Sequence, residues 1–258
     1  MSEASLARRA LAELAGTAML VAVVVGSGIM ASRLSPGDSG LELLENSLAT
    51  AAGLGAVIVV VGPVSGAHLN PVISVADWAL GRRTRTGLPA TDLLAYLPAQ
   101  VAGAIGGAVL ANVMFALPAV AASGKHRSAP HLWLGETVAT AGLVLLVFAL
   151  GRSGRGRLAP TAVGAYIGAA YWWTSSTSFA NPAVTIGRAF TSTFAGIAAG
   201  SVPGFIAAQA AGAVAGMAAV LVLYPASRDT SETPATGVGA AAARRQAAAA
   251  ATAPPPGG

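Results

Sequence analysis

The sequence predicts an all-α membrane protein: six transmembrane helices plus two re-entrant half-helices, arranged as an inverted repeat. Three observations carry that prediction. Apolar residues make up 54% of the 258-residue chain and charged residues 10%, far below the charged share of a soluble domain. Apolar windows of about 20 residues, long enough to cross a bilayer as a helix, recur along the chain. Two shorter helical runs open on the same dipeptide, Asn70-Pro71 and Asn181-Pro182, in segments flanked by spans.

The first span is read near residues 10–31, where Arg8 and Arg9 precede LAELAGTAMLVAVVVGSGIMA; the run lacks a convincing signal-cleavage boundary. Further spans follow near residues 46–64, 92–117, 132–150, 158–174 and 202–224. Between them, asparagine is a good N-cap because its side-chain oxygen accepts an orphan backbone N–H, and proline suits the first helical position. The runs Pro71 to Leu80 and Pro182 to Phe190 are therefore helices of about ten residues, about 15 Å long, half of a hydrocarbon core of about 30 Å. Loop backbone at that depth is tolerated only where it lines a watery path, which is what SGAHL before Asn70 and STSFA before Asn181 must do. The expected organisation is an N-terminus over residues 1–9, a channel domain over 10–225 and an Ala/Pro-rich tail over 226–258 whose composition predicts disorder.

Charge orients the spans. Arg8, Arg9, Arg82, Arg83, Arg85, Arg152, Arg155, Arg157, Arg228, Arg244 and Arg245 fall on one side of a six-span threading, against Arg33, Lys125 and Arg127 on the other. The basic side faces the cytoplasm, so both termini are expected inside. The arginines form short clusters rather than one stripe, which argues topology and not nucleic-acid binding.

The chain also repeats. LAELAGTAMLV around Glu13 matches LGETVATAGLV around Glu136, HLNPVIS matches FANPAVT, and AQVAGAIGGAV from Ala99 matches AQAAGAVAGMA from Ala208. The halves, about 10–117 and 132–224, hold three spans each, and an odd number inverts the second half across the membrane. Half-helices entering from opposite faces then meet N-terminus to N-terminus at the midplane. Cysteine is absent, and neither a nucleophile–base pair nor a metal-ligand cluster is visible, so no enzyme, cofactor or metal site is expected. Glu13 and Glu136, expensive inside a membrane, read as braces that accept backbone N–H bonds from the half-helix loops. Tyr171, Trp172 and Trp173 read as an interfacial aromatic belt. Gly103, Gly106, Gly107, Gly212 and Gly216 read as close helix packing. His68 reads as a packing residue, and Asp77 as neutralised by Arg82 or Arg83.

SGAHLNPV and FANPAV, with the paired Glu and Gln residues, resemble the major intrinsic protein family of aquaporins and aquaglyceroporins over about residues 8–225. The resemblance implies a homotetramer in the bilayer, one pore per subunit, passing water or small neutral solutes passively in the inner membrane of a bacterium. It implies that the amides of Asn70 and Asn181, in the motifs Asn70-Pro71-Val72 and Asn181-Pro182-Ala183, donate to permeants. Carbonyls of Gly66, Ala67 and His68, and of Ser178, Phe179 and Ala180, are implied as an acceptor ladder. The family arginine after the second motif is replaced here by Val184, and the other filter positions fall at Thr50, near Ala169, and at Ser178 or Phe179. A wide, less polar filter is expected, suited to glycerol-like polyols. The run TSSTSFANPAV also resembles a bacterial branch found beside arsenic-resistance genes, which adds undissociated or methylated arsenicals as cargo. Arg188 is expected either as a displaced filter charge at the outer vestibule or as a snorkelling residue at the half-helix C-terminus. A water-selective channel is the near alternative, and an ion-coupled transporter built on inverted repeats the distant one.

Overall fold

A computed structural model describes residues 4–82 and 86–225. Arg83 and Arg85, together with the tail over 226–258 and its arginines, lie outside the described residues. Within them the chain is helical. The order is α1 (Leu6–Leu34), α2 (Ser39–Ser65), α3 (Pro71–Gly81), α4 (Ala90–Met114), α5 (Pro130–Arg152), α6 (Ala159–Trp173), α7 (Pro182–Gly187) and α8 (Val202–Leu223). Five of these helices are long and apolar enough to cross a membrane. The exception among the expected spans is α6, whose 15 residues follow a 3-10 turn at Gly156–Leu158.

Local chemistry sets the boundaries. Asp38 caps α2 by accepting from the Leu41 N–H at 2.9 Å, and α2 stops at Gly66, whose φ of +87° is left-handed. The half-helices begin as their dipeptides predict. Asn70 Oδ1 accepts from the Val72 N–H at 3.1 Å, and Asn181 Oδ1 accepts from Ala183 and Val184 at 3.0 and 3.2 Å. The first runs 11 residues; the second has 6 in α-helix and then tightens into a 3-10 turn over Arg188–Phe190.

Each half packs in the same way, α1 on α4 and α5 on α8, and α2 packs on α6 across the halves. Glycines permit the approach. A methyl on Gly103 or Gly107 falls 2.2 Å from the carbonyl oxygen of Leu14 or Ala18, and one on Gly212 or Gly216 falls 2.4 or 2.6 Å from that of Thr137 or Ala141. Gly106 is a correction to the packing expectation: nothing lies within 4 Å of its missing methyl, because α4 turns that face away from α1.

Candidate functional site

The loops that lead into α3 and α7 adopt the same unusual backbone. Ala67 and Leu69 stand at φ 52°, and Ser178 and Ala180 at φ 48°, left-handed values that residues with a Cβ seldom take. Buried glutamates hold both loops. Glu13 accepts from the His68 N–H at 2.9 Å, the Leu69 N–H at 2.6 Å and the Ser65 hydroxyl at 2.6 Å. Glu136 accepts from the Phe179 and Ala180 N–H groups, both at 2.8 Å. Each glutamate is steadied by a glutamine. Gln100 Nε2 donates to Glu13 at 2.8 Å and to Ser74 at 2.9 Å, while Gln209 Nε2 donates to Glu136 at 2.7 Å and to Thr185 at 2.9 Å.

The half-helix N-termini are joined by crossed hydrogen bonds. Asn70 Nδ2 donates to the Ala180 carbonyl at 2.8 Å, and Asn181 Nδ2 donates to the Leu69 carbonyl at 2.7 Å. One N–H of each amide is thereby fixed, which aims the other. Ala180 is a correction to the acceptor ladder: its carbonyl is engaged by Asn70, and the residue is fully buried away from the cavity.

A cavity of about 290 Å³ runs past this junction. Gly66, Ala67, His68 and Asn70 line it from one half, and Ser178, Phe179, Asn181 and Val184 from the other. Thr50 lines it as well, its hydroxyl 3.2 Å from that of Tyr171. Ala169 is exposed and faces away, a second correction. The residues of α6 that reach the cavity are Ala159, Val163, Ile167 and Tyr171, four apart on one stripe, and Ala169 is about 200° round the helix from Ile167. Tyr171 correspondingly leaves the aromatic belt: it is 4% exposed, against 51% and 52% for Trp172 and Trp173.

Arg188 does not snorkel. It is 3% exposed, lines the cavity, and lays its guanidinium over Phe179 with 3.4 Å from the central carbon to the ring centroid. Its Nε donates to the Ala195 carbonyl. Arg127 approaches the same ring at 5.1 Å and donates to the Ser176 carbonyl at 3.3 Å. Burial, and then the charges of Arg127 and Arg188, hold the nearby Lys125 ammonium below its usual range. Ser178 Oγ lines the same region, buried and without a hydrogen bond among the described residues. The expected loss of polarity at Val184 is therefore offset by an arginine one turn further along.

At the other end, Asp77 lines the cavity beside His68, with 3.6 Å between its Oδ2 and His68 Nε2. Asp77 also accepts from the Leu88 N–H at 2.9 Å; of its two expected partners, Arg82 lies over Trp78 at 5.2 Å and Arg83 lies outside the described residues. His68 Nδ1 pairs with the Ser74 hydroxyl at 3.0 Å. Among the described residues no group of His, Cys, Asp or Glu gathers that could hold a metal ion.

Comparison with known proteins follows the same line. A family model described as Major intrinsic protein matches residues 1–177. The chain is 49% identical to the aquaglyceroporin AqpS of Rhizobium meliloti (strain 1021) over 228 residues, which is 88% of this chain and 95% of that protein. It is 33% identical to the glycerol uptake facilitator protein of Pseudomonas aeruginosa over 190 residues, 63% of this chain and 65% of the relative. The crystal structure of the aquaglyceroporin from Plasmodium falciparum superposes with a TM-score of 0.64 at 20% identity, covering 84% of this chain and 96% of that one.

Proposed function

The chain belongs to the major intrinsic protein family, and on that premise we propose that it is a passive channel for small uncharged solutes, glycerol-like polyols above all, and for water. It is a channel and not an enzyme. The observation that carries the proposal is the pair of crossed asparagines at the head-to-head half-helices, with the cavity passing beside them. Each amide keeps one N–H for a permeant hydroxyl or water, and the carbonyls of Gly66, Ala67, His68, Ser178 and Phe179 accept along the way. The named function of its relatives, glycerol uptake in one case and an aquaglyceroporin in another, supports the same cargo.

The outer constriction in this reading consists of Thr50, Tyr171, Ser178, Phe179 and Val184, with Arg188 as its charge. Val184 leaves room where the family carries an arginine, and Arg188 supplies a guanidinium from a recessed position stacked on Phe179. Such a filter takes solutes broader than water, undissociated or methylated arsenicals among them. The protein is read as a homotetramer in a bacterial inner membrane with both termini cytoplasmic. The test is swelling of proteoliposomes in gradients of glycerol, urea, arsenous acid and sucrose. Glycerol-driven swelling well above that of empty vesicles is expected, and a protein that speeds water but no solute is a water-selective channel instead.

A further inference from the structure

The two half-helices carry opposite charges at the same position, and both charges line the one cavity. Asp77 stands seven residues after Asn70, and Arg188 seven after Asn181. The helix α4 shows that they mark opposite ends. The Leu88 N–H that Asp77 binds lies just before α4 begins, whereas Asn112, near its C-terminus, donates to the carbonyl of Phe190 beside Arg188. Between them, the middle of α4 meets the half-helices through Gln100 on Ser74 and through the backbone of Ala104, 2.6 Å from where Gly187 would carry a methyl.

Most of the cavity's polar character favours negative charge. Arg188 is a buried guanidinium whose described hydrogen bond uses Nε alone; Arg127 lies against the same Phe179 ring, and Lys125, over Phe194, is near enough to feel both arginine charges. The amides of Asn70 and Asn181 are donors, and α3 points its N-terminus at the same junction. These features repel cations. Left unopposed, they make the passage a route for small anions, because a pore wide enough for glycerol is wide enough for a planar monoanion. Among the described residues that line the cavity, one acidic side chain stands against this, and it is Asp77. Its carboxylate is about a third exposed and is held in place by the Leu88 N–H, with His68 alongside.

We propose that Asp77 is the channel's barrier to anions, the counterpart of Arg188 as its barrier to cations, so that the two ends together confine traffic to uncharged molecules. This inference rests on the channel reading above. It makes Asp77 a selectivity residue remote from the usual filter, acting by charge rather than by width.

The test uses proteoliposomes at pH 8 under a potassium nitrate gradient, with valinomycin so that potassium does not limit swelling. Glycerol flux is measured on the same vesicles, and the readout is the ratio of nitrate to glycerol flux, which poor insertion leaves unchanged. Wild type is expected to pass nitrate no faster than empty vesicles. Asp77→Asn and Asp77→Ser are expected to raise the ratio at least about tenfold, a modest share of what a unit charge in a narrow pore exerts at an effective dielectric near 20. Asp77→Glu is expected to keep it low. A glycerol-conducting wild type that already passes nitrate overturns the inference, as does an unchanged ratio in both neutral variants. Wild-type vesicles that pass no glycerol overturn the solute-channel reading and this inference with it.

Discussion

Ser178 and Ala180 hold left-handed backbone without being glycine, as do Ala67 and Leu69 in the other loop. Each such residue costs about 1–3 kcal/mol and persists only where its surroundings over-determine it. Glu136 and Glu13 do that by taking two successive loop N–H groups each. Glu136→Gln offers one acceptor oxygen where two are used and turns an amide N–H against a backbone N–H. An unsatisfied buried donor costs about 1–3 kcal/mol, so the variant is expected to unfold at lower temperature in detergent and to lose solute flux. A variant with wild-type thermal stability and flux contradicts the bracing role. At the constriction, Val184→Arg sets a second guanidinium into the cavity near the first. The ratio of glycerol to water flux is expected to fall at least about tenfold, the discrimination that one misfitting methylene already produces, and an unchanged ratio removes Val184 from the filter. Both glutamates are legible in the sequence because a carboxylate in an apolar span demands a partner. The burial of Arg188 is not, since a cation at a helix C-terminus suits solvent equally well; its fate depends on Phe179, brought beneath it by the loop that Glu136 holds.

At the scale of elements, α7 has too few residues to be stable alone, since isolated helices shorter than about 12–15 residues are marginal even in favourable sequences. Its cap and its dock on α4 make it. Asn181→Ala removes a cap worth about 0.5–2 kcal/mol and also the crossed bond to Leu69, so flux is expected to drop even in protein that reaches the membrane; normal flux in correctly inserted protein argues against a pore at this junction. Helix pairing is tested within one helix. Gly107→Ala drives a methyl to 2.2 Å from the Ala18 carbonyl oxygen, whereas Gly106→Ala meets nothing within 4 Å. Overpacking costs about 1–3 kcal/mol, so the first variant is expected to lower the unfolding temperature and the second to leave it unchanged. The Asn-Pro starts and the repeat are readable from sequence because caps are local and recurrence is countable. Which face of α6 meets the cavity is not readable: an aromatic residue at the end of a span suits a lipid interface or a pore wall, and the helix phase that separates Tyr171 from Trp172 is set by packing on α2.

For the whole molecule, the inverted repeat and the arginine clusters together predict a threading that can be probed from outside cells. A tag at residue 125 is expected to be reached by an external label in intact cells, and tags at residue 155 and at the C-terminus only after permeabilisation. External labelling at 155 contradicts the orientation. The same threading gives α6 an uncommon task. Its 15 residues reach about 22 Å, short of a hydrocarbon core of about 30 Å, and α6 is seated by backbone contact with α2, where Gly164 would carry a methyl 2.5 Å from the Ala51 carbonyl oxygen. Biogenesis is where that brevity matters. As the nascent chain leaves the ribosome, a segment this short is expected to offer the insertion machinery less to partition into lipid than a full span does, and the helix it packs on, α2, is made about a hundred residues earlier. On this reading the first half of the chain is expected to serve as the template on which α6 settles in the bilayer.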